Sequence, residues 1–384
     1  MKIIYYSHPC FADCDFPLIG ELQRMGHDVR YYISIASFSK RSTLIDLKEL
    51  YPHTGIYPAT EIYKEFNDFR NILNLSHVYV VNQKHKQKHH PANLWLMLRL
   101  VWHFIRQTPD IIQLTSEPSL MMKCLYLMKE KLVLTVHDPF IHSGKRSKSR
   151  ERNRVTAFKK INKLVLLNNR QVEDFSNHYK IPLNHIFLSK LGKYDCIEQV
   201  LPQSTISRPY ILFFGLIAEY KGIEYLLEAM KSVHRHHPNV MLVVAGGGKY
   251  YFDISAYQSQ DYIQFRNNYI STAELSGLLR GCLFGVCPYK DATQSGVVQT
   301  AFTLGVPMVV TDVGALSTTV EHGKTGWVVK PCDSDALADG IRKMLNDREL
   351  LDSMRNTINK EWRSSMSWRP IAEDYVKCYQ SKIE

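Results

Sequence analysis

Apolar positions along the chain follow two rhythms. Short, almost unbroken apolar runs in the first half, KIIYYS, DVRYYI, DIIQL, KLVLTVH and KLVLLNN, predict strands buried on both faces. Between them, FPLIGELQRMGH and NLWLMLRLVWHFIRQ place apolar residues at helical spacing, and the first of these stops at Gly26. SLMMKCLYLMKE reads as a further helix, and a basic helix separates KLVLTVH from KLVLLNN. Residues 35–80 carry no period clear enough to assign. After the polar connection EQVLPQSTISRP, residues 198–209, the alternation restarts. YILFFG, VMLVVAG, LFGVCPY, PMVVTD and GWVV predict strands, and YIQFRNNYI a strand and the loop after it. GIEYLLEAMKSVHRHH, STAELSGLLRG and SGVVQTAFTLG predict the helices between them.

This alternation predicts an α/β chain of two doubly wound, Rossmann-like units. A length of 384 residues accommodates two such domains. In such sheets ligands bind beyond the carboxyl ends of the strands, so a cleft between two facing units is the expected site. A last pattern, Trp368, Ile371, Tyr375, Val376 and Tyr379, predicts a terminal helix with Pro370 in its first turn.

Composition narrows the function classes. The chain is 45% hydrophobic and 22% charged, as a globular protein with sizeable cores is. Cys10 and Cys14 form a C-x3-C with no second pair facing it, which reads as thiols in a reducing compartment rather than a disulfide frame or zinc site. His85 and His89 stand four apart in a basic loop without a carboxylate or cysteine to complete a metal site. The start, MKIIYYSHP, lacks the features of a signal peptide. The longest apolar run, residues 94–105, is interrupted by Arg99 and His103 and is too short to span a bilayer. It reads as a buried helix leading into DIIQL, although its two tryptophans also suit a membrane interface. A cytoplasmic location is expected.

Charge is unevenly spread. Residues 1–200 hold 29 Lys and Arg against 18 Asp and Glu, whereas residues 201–384 hold 19 of each. Much of the excess lies in residues 144–163, GKRSKSRERNRVTAFKKINK. The first half is therefore expected to meet something anionic. No zinc finger, RNA-binding aromatic signature or helix-turn-helix supports nucleic acid. An anionic membrane surface is the expected contact of residues 144–163.

Two loops suit phosphate. AGGGKY, residues 245–250, follows a strand but does not open a helix in the G-x-G-x-x-G manner, so a tight turn explains it equally well. DATQSGVVQ, residues 291–299, places Thr293 and Ser295 as helix caps and Gly296 where a ligand approaches the backbone. A helix start offers unpaired N–H groups and the positive end of the dipole. An ordinary capped helix has the same spacing.

In order along the chain stand GELQRMGHDVRYY, LTVHDPF, FFGLIAEYKGIEYLLEAM, CPYKDATQSGVVQTAFTLGVPMVVTDVGAL and VEHGKTGWVV. With these segments the chain resembles a family 4 retaining glycosyltransferase of the GT-B fold. The match is most specific from about 210 to 345. The resemblance implies an acceptor-binding domain over residues 1–198, a linker at 199–209 and a nucleotide-sugar domain at 210–362. It also implies that the helix at 363–384 crosses back to the first domain. It makes Lys221 the cation that neutralises the donor diphosphate and His137 the residue facing the reacting sugar. The family's pair of acids eight residues apart falls on Asp291, toward the sugar, and Gln299, toward the ribose. Gly215, Thr293, Gln294, Ser295, Gly296 and Val297 then surround the diphosphate and sugar, and the backbone of Tyr269 and Ile270 reads the base.

Three positions depart from the family's pattern. Leu216 stands where an arginine is common, Asp291 is one methylene shorter than glutamate, and Gln299 keeps an acceptor but not a charge. No D-x-D motif stands at a strand end to hold a metal, and neither a metal nor another cofactor is expected. The expected activity is sugar transfer, with retention, from a UDP- or GDP-sugar to a glycan or lipid-linked oligosaccharide in cell-surface polysaccharide synthesis. The departures keep open a binding subunit without turnover. A nucleotide-sugar epimerase is the remaining alternative.

Overall fold

The structure, a computed structural model, describes residues 1–42, 44–87, 90–140, 148–203, 206–292 and 296–383, apart from the side chain of Arg150. These form two compact units. The first takes in residues 1–140, 148–192 and 367–383, and the second residues 193–366.

Among the described residues, the first unit holds an eight-stranded sheet. Its strands are β1 (Lys2–Ser7), β2 (Asp28–Ala36), β3 (Gly55–Pro58), β4 (Val78–Gln83), β5 (Ile111–Leu114), β6 (Leu132–Val136), β7 (Lys163–Leu166) and β8 (Ile186–Leu188). The order is β3-β4-β2-β1-β5-β6-β7-β8, parallel except for β3 against β4. The apolar runs became the central strands because residues such as Ile3, Ile4, Ile112, Leu132 and Leu164 are covered on both faces. Strand β3 and the first half of β4 fall in the stretch that the sequence left unassigned. SLMMKCLYLMKE is not an α-helix: Leu120–Lys131 is a succession of 3₁₀ turns, interrupted at Met128. Its buried residues, Met122 and Leu125, are three apart, which suits a three-residue turn.

The terminal helix Trp368–Gln380 lies within the first unit and packs along the helix Ala12–Arg24. Its contacts with the sheet are polar at their centre. Tyr375 Oη lies 2.9 Å from Thr135 Oγ1, Tyr379 Oη donates to Gln113 Oε1 at 3.2 Å, and buried Lys163 Nζ donates to Tyr379 O at 2.9 Å.

The second unit's sheet has six parallel strands among the described residues. They are β9 (Tyr210–Phe214), β10 (Met241–Ala245), β11 (Ile263–Arg266), β12 (Gly285–Cys287), β13 (Met308–Thr311) and β14 (Gly326–Val329). The order β11-β10-β9-β12-β13-β14 reverses direction between β9 and β12. In the first sheet the equivalent reversal lies between β1 and β5. Ligands of doubly wound sheets bind at such switch points, beyond the carboxyl ends of the strands.

Candidate functional site

The switch point of the second unit gathers several of the residues singled out above. Beyond β9 the chain turns at Gly215, whose φ of +115° is a conformation that L side chains rarely adopt. A Cβ there would stand 3.5 Å from Val297 Cγ2, so this turn runs beside the first turn of the helix Gly296–Thr303. The Gly215 turn is held from below, with Gly215 N–H donating to Ala245 O and Ile217 N–H to Gly247 O. The glycine-rich loop after β10 thereby supports the β9 turn, and Gly246 cannot carry a Cβ, which would sit 1.9 Å from Gly215 O.

Lys221 closes a short 3₁₀ turn, Glu219–Lys221. Gly222 follows at φ +63°, and a Cβ there would stand 2.1 Å from Pro288 O. This close approach lays Lys221 against the end of β12. Its buried amine donates to Tyr289 Oη and lies 3.9 Å from the Tyr289 ring centroid. Tyr289 Oη and the lysine thus form one polar cluster under the loop that leads to Asp291. Asp291 itself is exposed. Lys290 turns the other way, to Glu224 Oε1 at 2.9 Å.

Gln299 is buried on the helix Gly296–Thr303, and its Oε1 has no hydrogen-bond partner among the described residues. An orphaned buried acceptor is costly, and a donor hydroxyl would satisfy it. Tyr269 and Ile270 are half-buried just before the helix Thr272–Gly281, where Ser271 Oγ caps Glu274 N–H at 3.2 Å. The Gly247 loop borders them, with a Cβ on Gly247 lying 3.8 Å from Tyr269 N. The second unit therefore brings Gly215, Lys221, Tyr269, Gly296, Val297 and Gln299 to the carboxyl edge of one sheet. Thr293, Gln294 and Ser295 lie outside the described residues. Leu216, where a family arginine is common, is 56% exposed.

His137 belongs to the first unit and follows β6. Its ring stacks on Phe11 at 4.1 Å, and its buried Nε2 has no partner among the described residues. Burial holds its pKa down to about 4, opposed by the charge of Asp138. At neutral pH it is an uncharged hydrogen-bonding group. The switch point of the same sheet carries a groove of about 990 Å³, lined among others by Tyr6, Met97, Met121, Met122, Arg41 and Lys123.

Sequence reasoning did not single out Asp15 or Tyr289. Asp15 is buried in the first unit, accepting from Tyr5 Oη at 2.6 Å and from Ser7 Oγ. It lines a small cavity with His137, Thr135 and Tyr375. Burial pushes its carboxyl up to about 7, against the two hydroxyl donors, with Asp13 adding to the rise. The chain's two D-x-D sequences are the pair Asp13–Asp15, inside a helix, and Asp333–Asp335, where Asp333 caps the helix Ser334–Asn346. Among the described residues no three His, Cys, Asp or Glu cluster as metal ligands; His89 lies outside them.

The raised carboxyl makes stability depend on pH. Below about 4 Asp15 is protonated in both folded and unfolded chains; between about 4 and 7 only the folded chain keeps the proton, so stability falls as pH rises. His137 acts oppositely: as pH falls from about 6.5 to 4 the unfolded chain gains a proton that the folded chain refuses, and stability falls. Asp15→Asn is expected to remove the first component. The stability of the variant relative to the parent should rise as pH goes from about 4 to 7, read from urea midpoints. Parallel curves for the two proteins would show that Asp15 is not buried as described.

Residues 199–361 match the family of Glycosyl transferases group 1. Among relatives, an uncharacterized glycosyltransferase of Methanocaldococcus jannaschii is 30% identical over 178 residues, 45% of either chain. The alpha-D-kanosaminyltransferase of Streptomyces kanamyceticus is 29% identical over 151 residues, 38% of this chain and 39% of that one. These alignments span less than half of each relative's length. Solved structures extend the likeness to the whole chain at the level of fold. Anabaena HepE in complex with UDP and glucose superposes with a TM-score of 0.69 at 15% identity, covering 98% of each chain. Sucrose-phosphate synthase from Thermosynechococcus elongatus superposes at 0.67 and 15% identity, covering 99% of this chain and 98% of that one. The protein has the two Rossmann-like domains of the GT-B fold, and its likeness to the group 1 glycosyl transferases lies in residues 199–361 of the second unit. Among the described residues no helix is long and apolar enough to cross a membrane.

Proposed function

We propose that the protein transfers a sugar, with retention, from a UDP- or GDP-sugar to a glycan or lipid-linked acceptor in the synthesis of a surface polysaccharide. The observation that carries this reading is the convergence of Gly215, Lys221 and the first turn of the helix Gly296–Thr303 at one switch point. Cleaving a sugar–phosphate bond leaves negative charge on the diphosphate and develops positive charge at the anomeric carbon. The Lys221 amine and the N–H groups of Gly296 and Val297 suit the first of these charges. They supply it without a metal ion, so transfer is expected to be metal-independent. Gln299 Oε1 would accept from a ribose hydroxyl, Tyr269 and Ile270 would border the base, and exposed Asp291 would meet the sugar. HepE, which carries UDP and glucose, is a precedent for such a ligand on this fold.

The first unit supplies the acceptor side of the reading. Its 990 Å³ groove combines methionines with Lys123, with Arg41, which is paired with Asp46, and with Glu117, a lining that fits an acceptor with both apolar and polar parts. His137, uncharged at neutral pH, would hydrogen-bond an acceptor hydroxyl rather than take its proton as a base. Contact of residues 144–163 with an anionic membrane belongs to the same reading.

Incubating the protein with UDP- and GDP-sugars alone and following the free nucleotide tests this reading, because transfer to water needs no acceptor. Release of nucleotide with the free sugar supports a transferase. Binding without any turnover, even with acceptor glycans present, would favour a binding subunit, the reading that Leu216 and Gln299 motivate. An altered but uncleaved nucleotide-sugar would indicate an epimerase.

Gln299→Glu is expected to keep or tighten nucleotide-sugar binding, since a charge-assisted bond to a hydroxyl is stronger. The unliganded variant should be less stable, because it buries an unpaired carboxylate. Calorimetric titration checks the first point, and a large loss of affinity would show that the amide itself is required.

A further inference from the structure

The helix Pro91–Arg106 is apolar on both sides. Its inner face, Leu96, Met97, Leu100, Val101 and Phe104, is buried in the first unit. The sequence reading of an ordinary buried helix holds for that face alone. Trp95 is 63% exposed, Leu98 42%, Trp102 59% and Ile105 48%. At 3.6 residues per turn these four fall within an arc of about 80°, opposite the buried face. A helix that is apolar all round belongs in a core or against lipid, and this one has a core on one side only.

We propose that this outer face docks on an anionic phospholipid bilayer, with Trp95, Leu98, Trp102 and Ile105 inserted at the interface. The charges beside it fit that partner. Arg99 and Arg106 adjoin one edge of the stripe, and the Arg106 guanidinium lies 4.5 Å from the Trp102 ring centroid. Residues 84–106 contain five Lys and Arg and no Asp or Glu. Lys84 and Lys86, both exposed, stand in the loop whose His85 and Gln87 carbonyls accept from Asn93 at the start of the helix. Near the other end Lys131 Nζ donates to Pro109 O, while the acids there are engaged: Asp110 accepts from Lys2 N–H, and Asp28 lies 3.6 Å from Arg30. Cations around an apolar stripe allow both terms of interfacial binding, apolar burial and attraction to anionic headgroups, to act together. The helix of 16 residues is about 24 Å long, enough to lie flat in the headgroup region. Indole rings favour that depth.

The inference stands independently of sugar transfer, and nucleotide-sugar binding is measured alongside it. The full protein is sedimented with vesicles of phosphatidylcholine alone and of phosphatidylcholine with phosphatidylglycerol. Trp95→Ser/Trp102→Ser is expected to weaken association with the mixed vesicles by at least about tenfold, with nucleotide-sugar binding unchanged. Lipids brominated near the headgroups should quench part of the parent's tryptophan emission. Trp95→Phe/Trp102→Phe should still bind and lose that quenching, because Trp362 and Trp368 are buried and Trp327 is half-buried. Equal sedimentation of parent and serine variant would overturn the proposal. So would bound protein without quenching, the mark of adsorption by charge alone. A lipid-free dimer that the serine variant abolishes would assign the face to a second copy and overturn it as well.

Discussion

Replacing Lys221 by alanine is expected to lower donor turnover by about 10²- to 10³-fold, the usual effect of removing one preorganised group that stabilises transition-state charge. The lysine is buried at the switch point, with its amine on Tyr289, so the protein already bears the cost of holding a cation there. A diphosphate leaving group would meet a fixed charge instead of reorganising water. Since the departing phosphate carries more charge in the transition state than in the bound donor, turnover should fall more than affinity. The readout is nucleotide released per folded enzyme. Folding is checked separately, because the substitution also leaves Tyr289 Oη without this donor. A folded variant with near-normal turnover would remove Lys221 from the mechanism.

The second large effect is expected at the terminal helix. Trp368 is 5% exposed, and its ring lies so close to Gly192 that a Cβ there would stand 2.6 Å from it. Trp368→Ala should destabilise the first unit by about 3–5 kcal/mol, the range for deleting a large buried aromatic. Removing residues 367–384 should do more. It would bare the apolar surface under Ile371, Ala372 and Tyr375 and leave the Lys163 amine without the Tyr379 carbonyl that it bonds. Guanidinium melting followed by a probe in each unit separates their transitions, which one midpoint does not describe. A truncated protein that stays soluble with an unchanged first-unit midpoint would contradict the packing.

The strands of both sheets were largely legible because parallel strands buried on two faces leave unbroken apolar runs, as in KLVLTVH and YILFFG. Strands β3 and β4 were not. Gly55–Pro58 is a four-residue antiparallel edge with one buried residue, and the irregular residues before it hide the register of Val78–Gln83. Leu120–Lys131 misled for another reason, since apolar residues three apart satisfy a helical period and a 3₁₀ turn alike. In the site, Gly215, Lys221 and Gln299 stood out through the resemblance to the glycosyltransferase family. The contact of Lys221 with Tyr289 spans 68 residues, and no local pattern announces it. Asp15 was hidden too: only the fold shows Tyr5 and Ser7 closing on its carboxyl. The Pro91–Arg106 helix shows the limit of periodicity. Its sequence is apolar around its circumference, and only burial distinguishes the covered face from the open one.

The central claim is that the second unit binds a nucleotide-sugar through its diphosphate without a metal ion. Thermal melting of the purified protein against a panel of UDP- and GDP-sugars, each with and without excess chelator, tests it most directly. A ligand at about a hundred times its Kd should stabilise the folded state by about 2.7 kcal/mol. The account predicts such a shift for at least one sugar of the panel, undiminished by the chelator and strongly reduced in Lys221→Ala. No shift with any nucleotide-sugar, or one that the chelator abolishes, would contradict it.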